Sequence, residues 1–199
     1  MSHLVESIKV ENKQLQNLPY HNDRMNRARR EYFGDFRKVD LKEIINIPQN
    51  LTDGVYKCRV VYSKSTIEKV EFLPYTRKEI NMVRVVHDDF IDYTYKYIDR
   101  GLLNKLYEKR GHCEDIIIVK LGFVTDGSSS NLAFFDGKKW DTPSTPLLKG
   151  TKRQFLIDNG ILNVKPIKVD DVKNYQIVSF INAMIDLDEL SVPVSSIFF

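Results

Sequence analysis

The sequence predicts an α+β protein in two parts, and three observations predict it. Short apolar runs joined by tight polar turns read as antiparallel strands, above all residues 55–62, where Tyr56, Cys58, Val60 and Tyr62 alternate with Val55, Lys57, Arg59 and Val61, and residues 123–135. Between them, residues recur at helical spacing: Met25, Ala28, Arg29 and Tyr32 share one face of residues 21–33, and Ile98, Leu102, Leu103, Leu106 and Tyr107 share one face of a stretch that runs to Lys109. A polar stretch around Pro74, residues 73–78, opens a boundary region that extends to Asp88 and separates a smaller part, residues 1–80, from a larger one, residues 85–199.

The remaining elements follow in order. Residues 4–10 read as a strand, Glu11-Asn12-Lys13 as a turn, and residues 14–18 as a second short strand that Pro19 ends. Asn22 or Asp23 is placed to cap the helix over residues 21–33. Residues 40–47 form a short helix before Pro48, and residues 64–72 and 80–86 add strands to the antiparallel sheet. Gly111-His112 closes the helix that follows Ile98. Ile116-Ile117-Ile118-Val119 is apolar throughout, as in a strand buried on both faces. Asp136-Gly137 reads as a two-residue hairpin turn. Residues 152–159 form a helix ended by Gly160, residues 164–169 and 176–185 form strands, and residues 170–175 a short helix between them. The apolar tail, residues 190–199, is expected to pack or to dimerise.

Composition removes several classes of function. A 199-residue chain with 42% hydrophobic and 29% charged residues can bury a sizeable core. A net charge of +3, with Arg27, Arg29 and Arg30 as the densest basic cluster, argues against nucleic acid. The two cysteines, Cys58 and Cys113, lack metal spacing, and no apolar run has membrane-spanning length. With no apolar leader at its start, the chain is expected in the cytoplasm.

The stretch on which the rest is organised is Phe123-Val124-Thr125-Asp126-Gly127-Ser128-Ser129-Ser130-Asn131-Leu132-Ala133-Phe134-Phe135. A carboxylate followed by small residues sits between two apolar strands. Alone, it is explained by a hairpin turn. It also resembles the Thr/Ser-Glu-Gly/Cys-x-x-Ser/Ala-Asn-Leu-Phe signature of the class IV aminotransferases, the fold-type IV pyridoxal-phosphate enzymes. The downstream Thr142-Pro143, and then Pro146-Leu147-Leu148-Lys149-Gly150-Thr151-Lys152-Arg153, resemble that family's Thr-Pro-Pro-Leu and Leu-x-Gly-x-x-Arg segments. Upstream, Val5-Glu6-Ser7-Ile8-Lys9-Val10 and His21-Asn22-Asp23-Arg24 resemble its Phe-Glu-Thr-x-Arg-Val strand and His-x-x-Arg helix start.

The resemblance implies a two-domain α+β fold like that of D-amino acid aminotransferase, with a shortened N-terminus that lacks the family's first strand and turn. It implies pyridoxal 5′-phosphate in the cleft between residues 1–80 and 85–199, and a homodimer whose sites are completed by the neighbouring subunit. Lys96 is implied as the catalytic lysine that binds the cofactor: it lies 30 residues before Asp126, and Lys96-Tyr97-Ile98-Asp99-Arg100 is similar to the lyases' Lys-x-Leu-Asn-Arg. Asp126 takes the place of the glutamate that keeps the pyridine nitrogen protonated, one methylene shorter. Arg24 is implied on the cofactor phosphate, where its planar fork suits the anion. Thr151 and Lys152, at the start of a helix, supply amides for the same phosphate. Asn182 and Ala183, in Ser179-Phe180-Ile181-Asn182-Ala183-Met184, resemble the lyases' Cys-Asn-Ala-Leu-Met segment on the phosphate side. Arg59 and Lys64, the latter within Ser63-Lys64-Ser65, are candidates for a substrate carboxylate.

Three functions fit the resemblance, all directed at a small-molecule substrate or its absence. The first is a lyase that converts 4-amino-4-deoxychorismate to 4-aminobenzoate and pyruvate, with Lys96 as general base. The second is an aminotransferase of branched-chain or D-amino acids. The third is a non-catalytic, shortened relative.

Overall fold

The structure, a computed structural model, describes residues 3–64 and 66–199; Ser65, of the segment beside Arg59, lies outside them. The chain has the expected α+β composition and divides into two compact units. The first is Met1–Arg77 together with Tyr95–Asp99, and the second is Lys78–Thr94 together with Arg100–Phe199.

In the first unit, β1 (Leu4–Glu11), β2 (Gln14–Leu15), β3 (Val55–Tyr62) and β4 (Ile67–Pro74) form an antiparallel sheet in the order β2-β1-β3-β4. Strand periodicity puts Leu4, Glu6, Ile8 and Val10 on one face of β1, and all four are buried. Helix α1 (Leu18–Phe33) contributes Met25 and Ala28 to the same core, with Leu41 from α2 (Leu41–Ile44) and Cys58, Val60 and Tyr62 from β3. The buried stripe of α1 also carries His21, Arg24 and Arg29.

Helix α1 starts three residues earlier than the spacing predicts. Pro19 does not end a strand: it stands in the first helical turn, where its missing N–H costs nothing. Asn17 precedes the helix in a left-handed conformation without a side-chain cap, and Asn22 instead donates to Asp40 and accepts from the Leu41 amide. Asp40, in turn, caps α2 by accepting from the Lys42 amide at 2.9 Å.

The Tyr95–Asp99 segment joins the first sheet through its backbone. The Val5 amide donates to the Lys96 carbonyl at 2.9 Å, the Ile98 amide donates to the His3 carbonyl at 3.1 Å, and Tyr97 forms a bridge with Leu4. The rings of Tyr95 and Tyr97 pack on Tyr32 of α1, with centroids 5.1 and 5.7 Å away.

Among the described residues, the second unit is built on a nine-stranded mixed sheet. Its main path runs β10 (Leu162–Lys165), β9 (Trp140–Pro143), β8 (Asn131–Phe135), β7 (Phe123–Gly127), β6 (Asp115–Lys120), β5 (Val83–His87) and β13 (Ile197–Phe198). Strand β11 (Ile177–Ile181) pairs with β8 and with β12 (Ser191–Pro193). Helices α3 (Gly101–Glu108) and α4 (Thr151–Asp158) belong to this unit. Ile116 through Val119 of β6 are fully buried, as an apolar run without alternation requires.

Two strand expectations and one turn are corrected here. The strand expected over residues 80–86 does not extend the N-terminal antiparallel sheet. It is β5, parallel to β6, and α3 lies in the long connection that a parallel pair needs. The Asp136-Gly137 turn is a four-residue loop, in which Asp136 Oδ1 accepts from the Lys138 and Lys139 amides and Trp140 pairs with Phe135. The strand expected over residues 176–185 stops at Ile181, because Asn182 and Ile185 close a tight turn. The apolar tail packs in part: Ile197 is buried beside Val83, whereas Phe199 is 66% exposed.

Ile117 has neighbours on both sides in the sheet and no exposure. Ile117→Ala should cost about 2–5 kcal/mol through lost burial and a residual cavity. Urea unfolding monitored by Trp140 fluorescence would measure it, and a midpoint equal to that of the unchanged protein would contradict the packing described.

Candidate active site

The first unit brings Glu6, His21 and Arg24 together. Glu6 is fully buried on β1, facing the stripe of α1 on which residues one turn apart, His21 and Arg24, point the same way. Arg24 Nε donates to Glu6 Oε1 at 2.9 Å while its Nη2 donates to Oε2, a two-point contact. His21 Nδ1 lies 2.6 Å from Glu6 Oε2. Burial alone would push the Glu6 carboxyl up, but the charge of Arg24 and the hydrogen bonds from His21 and Arg24 prevail and hold it at about 2. The His21 pKa is lowered as well, but by burial, which prevails over the raising effect of Glu6, and the charges of Arg24 and Lys96 lower it further. A neutral His21 donating Nδ1–H to an ionised Glu6 is the arrangement these shifts define.

Lys96 belongs to the same unit, half-buried, with its carbonyl on the edge of β1 one residue from Glu6. Lys105 and Lys109, the other lysines of that region, are exposed on and just after α3. Arg59 pairs with Glu71 across β3 and β4 at 2.9 Å, and Lys64 is exposed.

The second unit holds Asp126, Thr151, Lys152, Asn182 and Ala183. Asp126 ends the apolar run of β7 and is 6% exposed. Its Oδ1 accepts from Asn131 Nδ2 at 2.7 Å, and its Oδ2 accepts from the Leu148 amide at 2.9 Å. Burial raises its carboxyl to about 6, against the opposing effect of those donors and of the Arg153 charge. Arg153 does not ion-pair with it directly: Nε donates to Thr142 Oγ1 and Nη2 to the Pro143 carbonyl. The donors in contact with Asp126 are therefore neutral, the side-chain amide of Asn131 and backbone amides at Leu147 and Leu148.

Asn131 lies within the motif, yet its place in the sequence assigns it no task. Its Nδ2 reaches both Asp126 Oδ1 and the Leu148 carbonyl, at 2.7 and 2.8 Å, so it ties β7 and β8 to the segment before α4. That contact sets the residue at position 150. A Cβ there would stand 1.9 Å from Asn131 Oδ1, so only glycine lets the backbone pass. Glu6 and His21 were likewise quoted only within the motifs around them; the signal that could have found them is a carboxylate on the inward-facing register of an otherwise apolar strand.

Helix α4 starts at Thr151, and both Thr151 and Lys152 are buried. The Lys152 amine is paired with Asp186. Asn182 Oδ1 accepts from the Met184 amide at 2.8 Å, with Ala183 half-buried in the turn between them. Among the described residues there is no group of three or more metal-ligating side chains, and no helix is long and apolar enough to cross a membrane.

Two α+β units carrying these groups define the fold of the fold-type IV pyridoxal-phosphate enzymes. The amino-transferase class IV family model matches residues 3–197, and the chain belongs to that family, whose cofactor is pyridoxal 5′-phosphate. An uncharacterized protein of Haemophilus influenzae is 39% identical over 183 residues, which are 91% of this chain and 97% of that protein. A crystal structure from Haemophilus somnus, provisionally named a 4-amino-4-deoxychorismate lyase, superposes with a TM-score of 0.86 at 31% identity, over 94% of this chain and 98% of its own. An aminotransferase from Brucella abortus bound to pyridoxal phosphate shares the fold at 14% identity, with a TM-score of 0.76 over 98% of this chain and 81% of its own.

The Asp126 carboxyl is raised from 3.8 to about 6. A folded state that holds a proton more tightly than the unfolded chain gains stability from it that is fully present below pH ~3.8 and lost as the pH rises through about 6, roughly 3 kcal/mol in all. Carbon-13 NMR of the Asp126 carboxyl in cofactor-free protein should show a midpoint near pH 6. A midpoint in the ordinary carboxylate range would contradict a buried site served by neutral donors.

Proposed function

We propose that the protein binds pyridoxal 5′-phosphate and converts 4-amino-4-deoxychorismate to 4-aminobenzoate and pyruvate. The observation that carries the cofactor reading is Asp126, a buried carboxylate whose hydrogen-bond donors are neutral and whose burial cost a protonated pyridine nitrogen would offset. The carboxylate oxygens keep lone-pair capacity beyond the donors from Asn131, Leu147 and Leu148, so the residues present fit the group. The lyase reading is supported by the Asn182-Ala183 segment and by the 31% identical Haemophilus somnus structure.

The cofactor, when bound, supplies an electron sink for a substrate amine. Asp126 keeps the pyridine nitrogen protonated and so sustains that property. Arg24, oriented by Glu6, holds the phosphate, with the amides of Thr151 and Lys152 and the segment at Asn182 and Ala183 on the same group. Lys96 Nζ would be the amine that holds the cofactor before turnover. The freed Lys96 Nζ would take the proton from the ring carbon that bears the substrate amine; breaking the C–O bond on the neighbouring ring carbon would then release pyruvate, first as its enol, and leave the aromatic product. Lys96 belongs to the same unit as Glu6, His21 and Arg24, close enough for its charge to lower the His21 pKa. A two-fold homodimer is part of the same reading, and light scattering at micromolar concentration should give twice the chain mass.

Lys96→Ala should abolish the absorbance of the covalently attached cofactor, resist borohydride fixation and slow turnover by ~10²–10⁴-fold, the usual worth of a positioned base. The unchanged protein should release 4-aminobenzoate and pyruvate in equal amounts from aminodeoxychorismate with no keto acid added. Product formed only when an amino acceptor is supplied would replace the lyase with an aminotransferase. Borohydride fixation at another lysine would remove Lys96 from the role.

A further inference from the structure

The turn between β7 and β8 is made of Gly127 and three serines, residues with little side chain to hold it. Its own closure is a single bond, from the Gly127 amide to the Ser130 carbonyl at 2.8 Å. Three side chains from other elements of the second unit grip its backbone. Arg100, just before α3, donates Nη2 to the Ser128 carbonyl at 2.7 Å. Asp115, the first residue of β6, accepts from the Ser128 amide at 3.1 Å and from its own neighbour, Ile116, at 2.7 Å. Asn182, after β11, donates Nδ2 to the Ser129 carbonyl at 3.3 Å and to Ser130 Oγ at 3.1 Å.

The position of this turn matters because Asp126 and Asn131 stand at its two feet, as the pair that closes the β7–β8 register. A shift of the serines relative to the strands would change the 2.7 Å contact between Asn131 Nδ2 and Asp126 Oδ1. Asp115 is itself buried, 6% exposed, and gives up solvent to hold a backbone amide. Burying a carboxylate is costly unless it is hydrogen-bonded, and the Ile116 and Ser128 amides supply those bonds, which ties Asp115 to the turn. From this convergence we infer that Arg100, Asp115 and Asn182 are positioning residues: they clamp the serine turn and thereby set where the Asp126 carboxylate stands. That this placement serves a pyridine ring rests on the function proposed above.

The clamp gives a role to the arginine of Lys96-Tyr97-Ile98-Asp99-Arg100, which lies at the chain's return into the second unit. It also gives the Asn182 side chain a task distinct from the phosphate: its amide nitrogen serves the turn and its oxygen the Met184 amide.

The test uses cofactor-free protein first. Asn182→Asp keeps the shape and removes both donors, Arg100→Met removes the charged donor, and Arg100→Lys restores a cationic one. Hydrogen exchange at the Gly127 amide should quicken by roughly tenfold in Asn182→Asp and Arg100→Met, the worth of about one hydrogen bond. The Asp126 carboxyl carbon resonance should move with it, while amides of β6 stay unchanged, and Arg100→Lys should return both signals toward the original. Pyridoxal phosphate titrated into the same variants should bind more weakly than to the unchanged protein. If exchange at Gly127 and the Asp126 resonance are unaltered in both Asn182→Asp and Arg100→Met, the clamp is overturned. If they move while the unchanged protein fails to bind pyridoxal phosphate, the clamp stands and the cofactor reading falls.

Discussion

A carboxylate taken out of water at the end of β7 needs donors, and the second unit supplies them to Asp126, foremost the side-chain amide of Asn131 and the backbone amide of Leu148. Much of the surrounding structure follows from meeting that need. Asn131 must turn inward across the β7–β8 hairpin and also reach the Leu148 carbonyl, which brings the segment before α4 against the strand end. Its oxygen then lies where any side chain at position 150 would be, so the residue there is glycine. That glycine precedes the first turn of α4, so the carboxylate, the amide and the helix start occupy one frame.

The two buried carboxylates show how partners, rather than burial, decide a charge state. Glu6 is as deeply buried as Asp126, yet Arg24 grips it at two points, His21 adds a third contact, and the acid is held at about 2. Asp126 has only neutral donors in contact, with Arg153 acting from a distance, and its acid rises to about 6. Each unit of pKa is worth ~1.4 kcal/mol, so the contrast is several kcal/mol of differential interaction. Glu6 is satisfied by its own unit and works as a fixture for Arg24. Asp126 has only neutral donors in contact, so its burial remains uncompensated by a neighbouring positive charge.

The sequence made the core of this arrangement legible where one pattern had one physical reading. The run from Phe123 to Phe135 could only be strand, polar turn and strand, and Ile116 to Val119, with no alternation, had to be buried on both faces. Elements were misread where a local signal had two readings. Pro19 ends strands but also starts helices, and the second applies here because Asn17 enters the helix from a left-handed conformation with no side-chain cap. Asp136-Gly137 is a common two-residue turn, but the Asp136 carboxylate collects the amides of Lys138 and Lys139 and lengthens the loop. Strand β5 offered no sign of direction, since parallel pairing to β6 depends on the connection and not on the strand's residues. Within the site, residues bound to a motif were visible, whereas those acting on the motif from elsewhere, Arg100 and Asp115 on Ser128, depend on distances no linear pattern carries.

The placement of Lys96 illustrates the same limit. In the chain it lies between two stretches of the second unit, Lys78–Thr94 and Arg100–Phe199, yet Tyr95–Asp99 is part of the first. Backbone bonds to His3 and Val5, and the packing of Tyr95 and Tyr97 on Tyr32, hold it there. The lysine is thus positioned by the first strand and the first helix, the same two elements that position Glu6, His21 and Arg24. A five-residue excursion into another unit costs backbone entropy at each residue ordered, and the bridge at Leu4 and Tyr97 with its flanking bonds opposes that cost on the edge of β1, where unpaired backbone groups would otherwise face water. The electrostatic consequence is specific: the Lys96 charge is one of the influences that keep His21 neutral. A neutral His21 can donate Nδ1–H to Glu6, and that hydrogen bond leaves Glu6 ionised and able to orient Arg24. Residues near the chain start therefore govern a lysine some ninety positions later through the edge of one strand.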